Sequence, residues 1–210
     1  MLNIKEHLNR ILEIPELELD ENAYKGKYDL NNAKSIKDFV LGNLRKTYEN
    51  IDTGDEIAVS RNSSGKIVGS YRNGESYQKT IVHIPEIIKN MQFLEKQIPE
   101  KEGSKYNNYS YYITGINMDG KSYAVFSIVG YNERGVYYVH NVFEGTRREV
   151  FAKAEKEAIT DSQYKRLAEI LEKAKKGGWS LDLVVTKGTS TDPINKYTKI
   201  FEEKQEKNEK

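Results

Sequence analysis

The stretch that decides the fold is YSYYITGINMDGKSYAVFSIVGYNERGVYYVHNVFE, Tyr109 to Glu144. It divides into three runs rich in aromatic and β-branched residues, the composition that suits a pleated, half-buried surface. Met118-Asp119-Gly120-Lys121 separates the first two runs. Asp-Gly between such runs signals a tight hairpin, because both central residues of that turn need a positive φ. Asn132-Glu133-Arg134-Gly135 separates the second run from the third. The reading is an antiparallel meander with strands near 109–118, 121–131 and 136–144. In the third strand, alternation puts Val136, Tyr138, His140, Val142 and Glu144 on one side and Tyr137, Val139, Asn141 and Phe143 on the other. The second set is the more apolar and reads as the core face. His140 and Tyr138 are thereby expected on an open face, with Arg147 and Arg148 just past the strand end.

Working outward, residues 2–14 have the spacing of an amphipathic helix ended by Pro15, with His7 off its apolar stripe and expected in solvent. Residues 15–31 read as a connector. Asn31 or Asn32 can cap a following helix whose buried face is Ile36, Phe39, Val40 and Leu44. Thr53-Gly54-Asp55 reads as a turn before a short strand at Ile57 and Val59, and Asn62-Ser63-Ser64-Gly65 as a second turn. Lys66 to Tyr71 is then a return strand or loop. PEIIKNMQFLEKQ, from Pro85, is expected to run as one helix. Beyond the meander the period becomes helical from Arg147. Thr160 can cap a helix with Tyr164, Leu167, Ala168, Leu171 and Ala174 on one face, and Gly177-Gly178 can stop it. WSLDLVVTKGTS reads as a last strand, and the chain is expected to end in a short helix from Ile194 and a charged, frayed tail. The fold class is α+β, an antiparallel sheet packed against helices. The expected organisation is an N-terminal helix and connector over 1–30, an α+β domain over 31–192 and a tail over 193–210.

Composition narrows the function classes. The 210 residues hold 33 Lys and Arg against 32 Asp and Glu, which argues against a strongly basic coat for nucleic acid. With no cysteine, disulfides, zinc–thiolate sites and thiol catalysis are excluded. The histidines, His7, His83 and His140, are dispersed, so no histidine-rich metal site is expected; a carboxylate-only magnesium or calcium site stays open but no D-x-D-x-D-G loop supports it, and no metal or cofactor is assigned. The start MLNIKEHLNR is broken by charges, unlike a signal peptide, and no apolar run is long enough to span a bilayer. A cytoplasmic protein, acting in the host cytosol, is expected. The 15 tyrosines, against one tryptophan and six phenylalanines, suit half-buried strands and could also stack on unpaired bases.

In order along the chain come TGDEIAVS, Lys66, HIPEIIKN, the first two meander strands and VYYVHNVFE. From about Asn31 to Glu144 this succession resembles the third type of large polyvalent protein-associated domain, found in phage and conjugative-element proteins. The resemblance implies helices packed on an antiparallel sheet, in a nuclease-like fold grouped with barnase, EndoU, colicin tRNases and RelE. Members of the group often carry a histidine between the TG strand and the P-E-I-I helix. Here SSGKIVGSYRNGESYQKT has none.

Metal-free RNA cleavage needs a base, an acid and cations around the crowded phosphate. His140 is the first candidate for acid or base, with His83 as a substitute. Lys66, Arg72, Arg147, Arg148, Tyr138 and Ser190 are the candidates for holding RNA. Two functions follow. One is a phage or mobile-element protein that cleaves or binds RNA. The other is a non-enzymatic effector, of the kind that inhibits CRISPR systems, which binds and blocks a host defence protein or ribonucleoprotein. The geometric question between them is whether His140 shares an open, concave site with these cations.

Overall fold

A computed structural model describes residues 4–70, 73–98, 106–132, 135–156 and 162–176. The meander forms as its sequence dictates. Strand β5 (Asn108–Met118) pairs antiparallel with β6 (Lys121–Asn132), which pairs antiparallel with β7 (Gly135–Glu144). At the first hairpin Met118 faces Lys121, and Asp119 and Gly120 hold φ of 52° and 72°. That is the left-handed pair which a two-residue turn demands.

The far edge of β5 is shared by two strands. Strand β4 (Gln92–Gln97) pairs antiparallel with its first half, across an irregularity between Phe93 and Glu95. Strand β1 (Leu17–Leu19) pairs parallel with Ile116–Met118. Both are corrections to the sequence reading. The segment 15–31 is more than a connector. Helix α5 (Ile84–Asn90) stops before Met91, whose backbone is extended at ψ 140°, and MQFLEKQ does not continue the helix. Gln92–Gln97 carries no Pro or Gly to mark the change, so the vacant edge of β5 decides its state.

The other departures lie between the α2 helix (Ala33–Phe39) and α5. The α2 helix is capped by Asn32, whose side chain accepts from the Lys34 and Ser35 amides, and it continues as a π-helical stretch, Val40–Leu44. Strands β2 (Thr47–Glu49) and β3 (Glu56–Ala58) form a separate two-stranded ribbon. Helix α3 (Arg61–Gly69) occupies the segment whose composition reads as a turn and a return strand. Its start is a capping box: Ser60 Oγ accepts from the Ser63 amide while Ser63 Oγ accepts from the Ser60 amide. A Ser-Ser box lacks the Glu or Gln that marks the usual version, and Asn-Ser-Ser-Gly mimics a loop. Helix α4 (Glu75–Thr80) and a 3₁₀ turn (Ile81–His83) then lead into α5.

Helices cover both faces of the sheet. One face carries Tyr111, Ile113, Ala124, Phe126 and Phe143. Onto it pack Leu8 and Ile11 of helix α1 (Ile4–Glu13), Phe151 of α6 (Arg147–Lys156) and Leu167 and Leu171 of α7 (Ser162–Lys176). The opposite face carries Tyr112, Val129 and Tyr138 beneath α2–α5, with Ile36, Ile67, Tyr77 and Ile84 fully buried between. Fully burying one such side chain contributes about 1.5–3 kcal/mol. The expectation of an open face on β7 is thus overturned. Its more polar side is also interior, because α3 and α4 lie across it. The expectations for Thr160, Gly177-Gly178, the last strand, the Ile194 helix and the tail lie outside the described residues.

Candidate functional site

The candidate groups come apart. His140 is 1% exposed. Its ring stacks on Tyr77 at 4.7 Å and lies 5.7 Å from that of Tyr138. Thr80 Oγ1 donates to the Tyr77 carbonyl at 2.7 Å, so its oxygen accepts from His140 Nε2 at 3.1 Å. The ring is therefore the neutral Nε2–H tautomer. Nδ1 has no hydrogen-bond partner among the described residues, and burial lowers the imidazole pKa to about 3. Such a ring is uncharged at neutral pH, and its lone pair reaches no solvent.

Tyr138 is fully enclosed beside it, with its hydroxyl 3.4 Å from Ser127 Oγ and its pKa raised by burial. The Tyr138 amide donates to Ser63 Oγ at 3.0 Å, so the α3 capping serine also closes the outer edge of β7. Ser63, Tyr77, Thr80 and Ser127 complete a buried polar cluster that sequence reasoning misses. The Ser60–Ser63 box is its one legible signal, through α3; the rest depends on α4 crossing the sheet.

Arg147 lies on the other face. A Cβ built on Gly115 would stand 2.8 Å from Arg147 Nε, and Gly115 alternates with Ile113 and Tyr111 on the face opposite His140. Arg147 is 4% exposed. It donates to Gln92 Oε1 at 3.0 Å and to the Ile14 carbonyl. Burial lowers its pKa, with Glu16 acting in the opposite direction. The expected exposed cation is instead an internal clasp joining α6, β4 and the end of α1. It points inward because a second capping box, Thr146 with Glu149, starts the helix at Arg147.

Arg148 is half-buried, and Lys66 is exposed on α3. His83 Nε2 donates to the Asp20 carbonyl at 2.8 Å, tying the 3₁₀ turn to the loop after β1. His7, expected in solvent, is half-buried, and its Nε2 donates to the Phe93 carbonyl. Arg72 and Ser190 lie outside the described residues. Tyr138 and His140 are thus together but interior, and Arg147 is separated from them by the sheet.

Among the described residues, no group of three or more His, Asp or Glu side chains stands close enough to hold a metal ion, and no helix is long and apolar enough to cross a membrane. One groove, about 490 Å³, runs between β2 and α5 and is lined by Tyr48, Ile51 and Pro85 among others. A smaller one, about 200 Å³, lies at the start of α3 beside Tyr106 and Tyr137.

A mostly antiparallel sheet with helices on both faces defines an α+β protein. The chain matches the large polyvalent protein-associated domain 3 family over residues 27–139, more than half of its length, and belongs to that family. This associates it with phages or other mobile elements. No curated protein and no solved structure matches the chain. The match takes in α2–α5 and most of the sheet. Helices α1, α6 and α7, which cover the other face, lie outside it.

Proposed function

We propose that this is a non-enzymatic phage or mobile-element protein that acts by binding a host protein, as an inhibitor of a defence system would. The observation that carries this reading is the position of His140. The one strand histidine is closed off between Tyr77 and Tyr138, bonded to Thr80 and held neutral. A general acid or base must reach the proton it moves. Arg147 and His83 are likewise engaged in internal bonds. The near balance of charge over the whole chain suits a protein partner better than a polyanion.

The test is paired. The purified chain is incubated with total and transfer RNA, and separately used as bait in a host lysate. Intact RNA with a stoichiometric host protein is expected. Cleavage in chelator that tracks the protein through purification would overturn the reading and restore the ribonuclease alternative.

A further inference from the structure

The two-stranded ribbon leaves an unsatisfied edge. The Val59 amide donates to the Lys46 carbonyl at 3.0 Å, and the Asn50 amide to the Asp55 carbonyl at 2.9 Å. Lys46, Tyr48 and Asn50 therefore turn their backbone groups toward β3, while Thr47, Glu49 and Ile51 turn theirs away. The Ile51 amide reaches the Lys89 carbonyl of α5 at 2.9 Å. The outward amides and carbonyls of Thr47 and Glu49 have no partner among the described residues, and they open into the 490 Å³ groove between β2 and α5.

Two further observations point to what enters. Ile51, on the groove wall, is 65% exposed, one of two large hydrophobics so exposed among the described residues. Glu49 lies directly opposite Glu56 in a non-hydrogen-bonded pair, where side chains stand closest. Like charges so placed are destabilising. Glu86 stands on the facing wall, with Lys89 the one cation among the lining residues. An incoming cation would relieve the Glu49–Glu56 repulsion.

We propose that this groove takes an extended, basic segment of a partner protein, which adds a third strand beside β2. Its backbone pairs with Thr47 and Glu49, an apolar side chain covers Ile51, and its cations meet Glu49 and Glu86. Pairing on a strand edge beside a helix gives affinity through the main chain and selectivity through the side chains. This inference rests on the proposed binding role and names the surface that performs it.

The probe is a synthetic peptide, acetyl-Lys-Val-Lys-Ile-Lys-Val-amide, titrated into the isotope-labelled full chain and followed by amide chemical shifts. Saturable shifts at Thr47, Glu49 and Ile51 are expected. The Glu-for-Lys peptide should bind at least about tenfold more weakly. Glu49→Pro removes an outward amide, which an edge strand tolerates, together with one carboxylate of the Glu49–Glu56 pair, and with Ile51→Asp it should abolish the shifts without lowering the melting temperature. Shifts elsewhere, equal binding of the acidic peptide, or no binding at millimolar peptide would overturn the proposal. So would slow exchange of the Thr47 and Glu49 amides in the free monomer, which would put a segment of the same chain in the groove. A free dimer that Ile51→Asp dissociates would put a second copy there and overturn it equally. A host protein captured equally by wild type and by Glu49→Pro would sink the groove and leave the binding role standing. Groove-mapped peptide binding with no host partner would do the reverse.

Discussion

The two faces of one sheet solve burial differently. On the face under α1, α6 and α7, the sheet presents Ile113, Ala124, Phe126 and Phe143 to Phe151 and Leu167. Its polar contribution is concentrated in two cations: Arg147, and Arg166, which pairs with Glu95 and Glu169 and lies 4.7 Å over the Tyr111 ring. On the face under α2–α5, apolar side chains are interleaved with Ser63, Thr80, Ser127 and His140, all nearly inaccessible. Leaving a buried polar group unbonded is costly, so the second face, with polar groups spread through it, depends on register. The polar pattern that reads as solvent exposure in β7 is a buried network.

The sharpest way to break this contrast is to cut adjacent residues of β6 that point to opposite faces. Phe126→Ala should cost about 3–5 kcal/mol, the usual loss for a buried phenylalanine. Ser127→Ala, removing one long hydroxyl contact, should cost about 1 kcal/mol. Chemical denaturation measures both, and equal losses would erase the distinction between the faces.

Acid probes the polar face through His140. The His140 pKa is about 3 in the folded chain against an ordinary value of 6.5, so the unfolded chain binds more protons between these limits. This contribution is complete above pH 6.5 and is lost as pH falls toward 3, by several kcal/mol at the bottom of the window. His140→Phe should flatten the rise of stability with pH across that range. A variant as acid-sensitive as wild type would show that the ring is not the source.

Arg147→Met probes the clasp on the apolar face. It leaves Gln92 Oε1 and the Ile14 carbonyl without their donor, and roughly 2–3 kcal/mol should be lost, since bonds to a charged donor lie in that range. Amide exchange should rise first in α1, and a variant as stable as wild type with α1 fully protected would mean that the clasp holds nothing.

The smallest effect has the opposite sign. Gly65 lies inside α3, and a methyl group placed on its Cα would meet nothing within 4 Å. Gly65→Ala should therefore stabilise by about 0.5–1 kcal/mol. Were Gly65 instead at a positive φ in a turn, alanine would destabilise, so a thermal melt distinguishes the two.

Much is legible before any tertiary contact. The meander, its Asp-Gly turn, the α+β class, the Asn32 cap and the family resemblance are local or ordered signals, carried by residues that set their own backbone. Alternation in β7 also sorts its side chains correctly into two sets. What sequence could not supply is the number of layers. Whether His140 meets water depends on α3 and α4, which lie upstream across a long stretch of chain, Thr80 sixty residues before the histidine it bonds. Part of that region carries the composition of a turn and a strand, so nothing local announces the cover.

The same limit explains the other departures. Gln92–Gln97 is a strand because β5 offers an edge, and Arg147 turns inward because a capping box sets the phase of its helix. By itself the sequence determined the backbone of the meander, where it turns and which of its side chains share a face, and that no thiol chemistry exists. The tertiary structure decided exposure. Exposure is a property of two elements that meet, and the composition of one strand does not contain the helix that covers it.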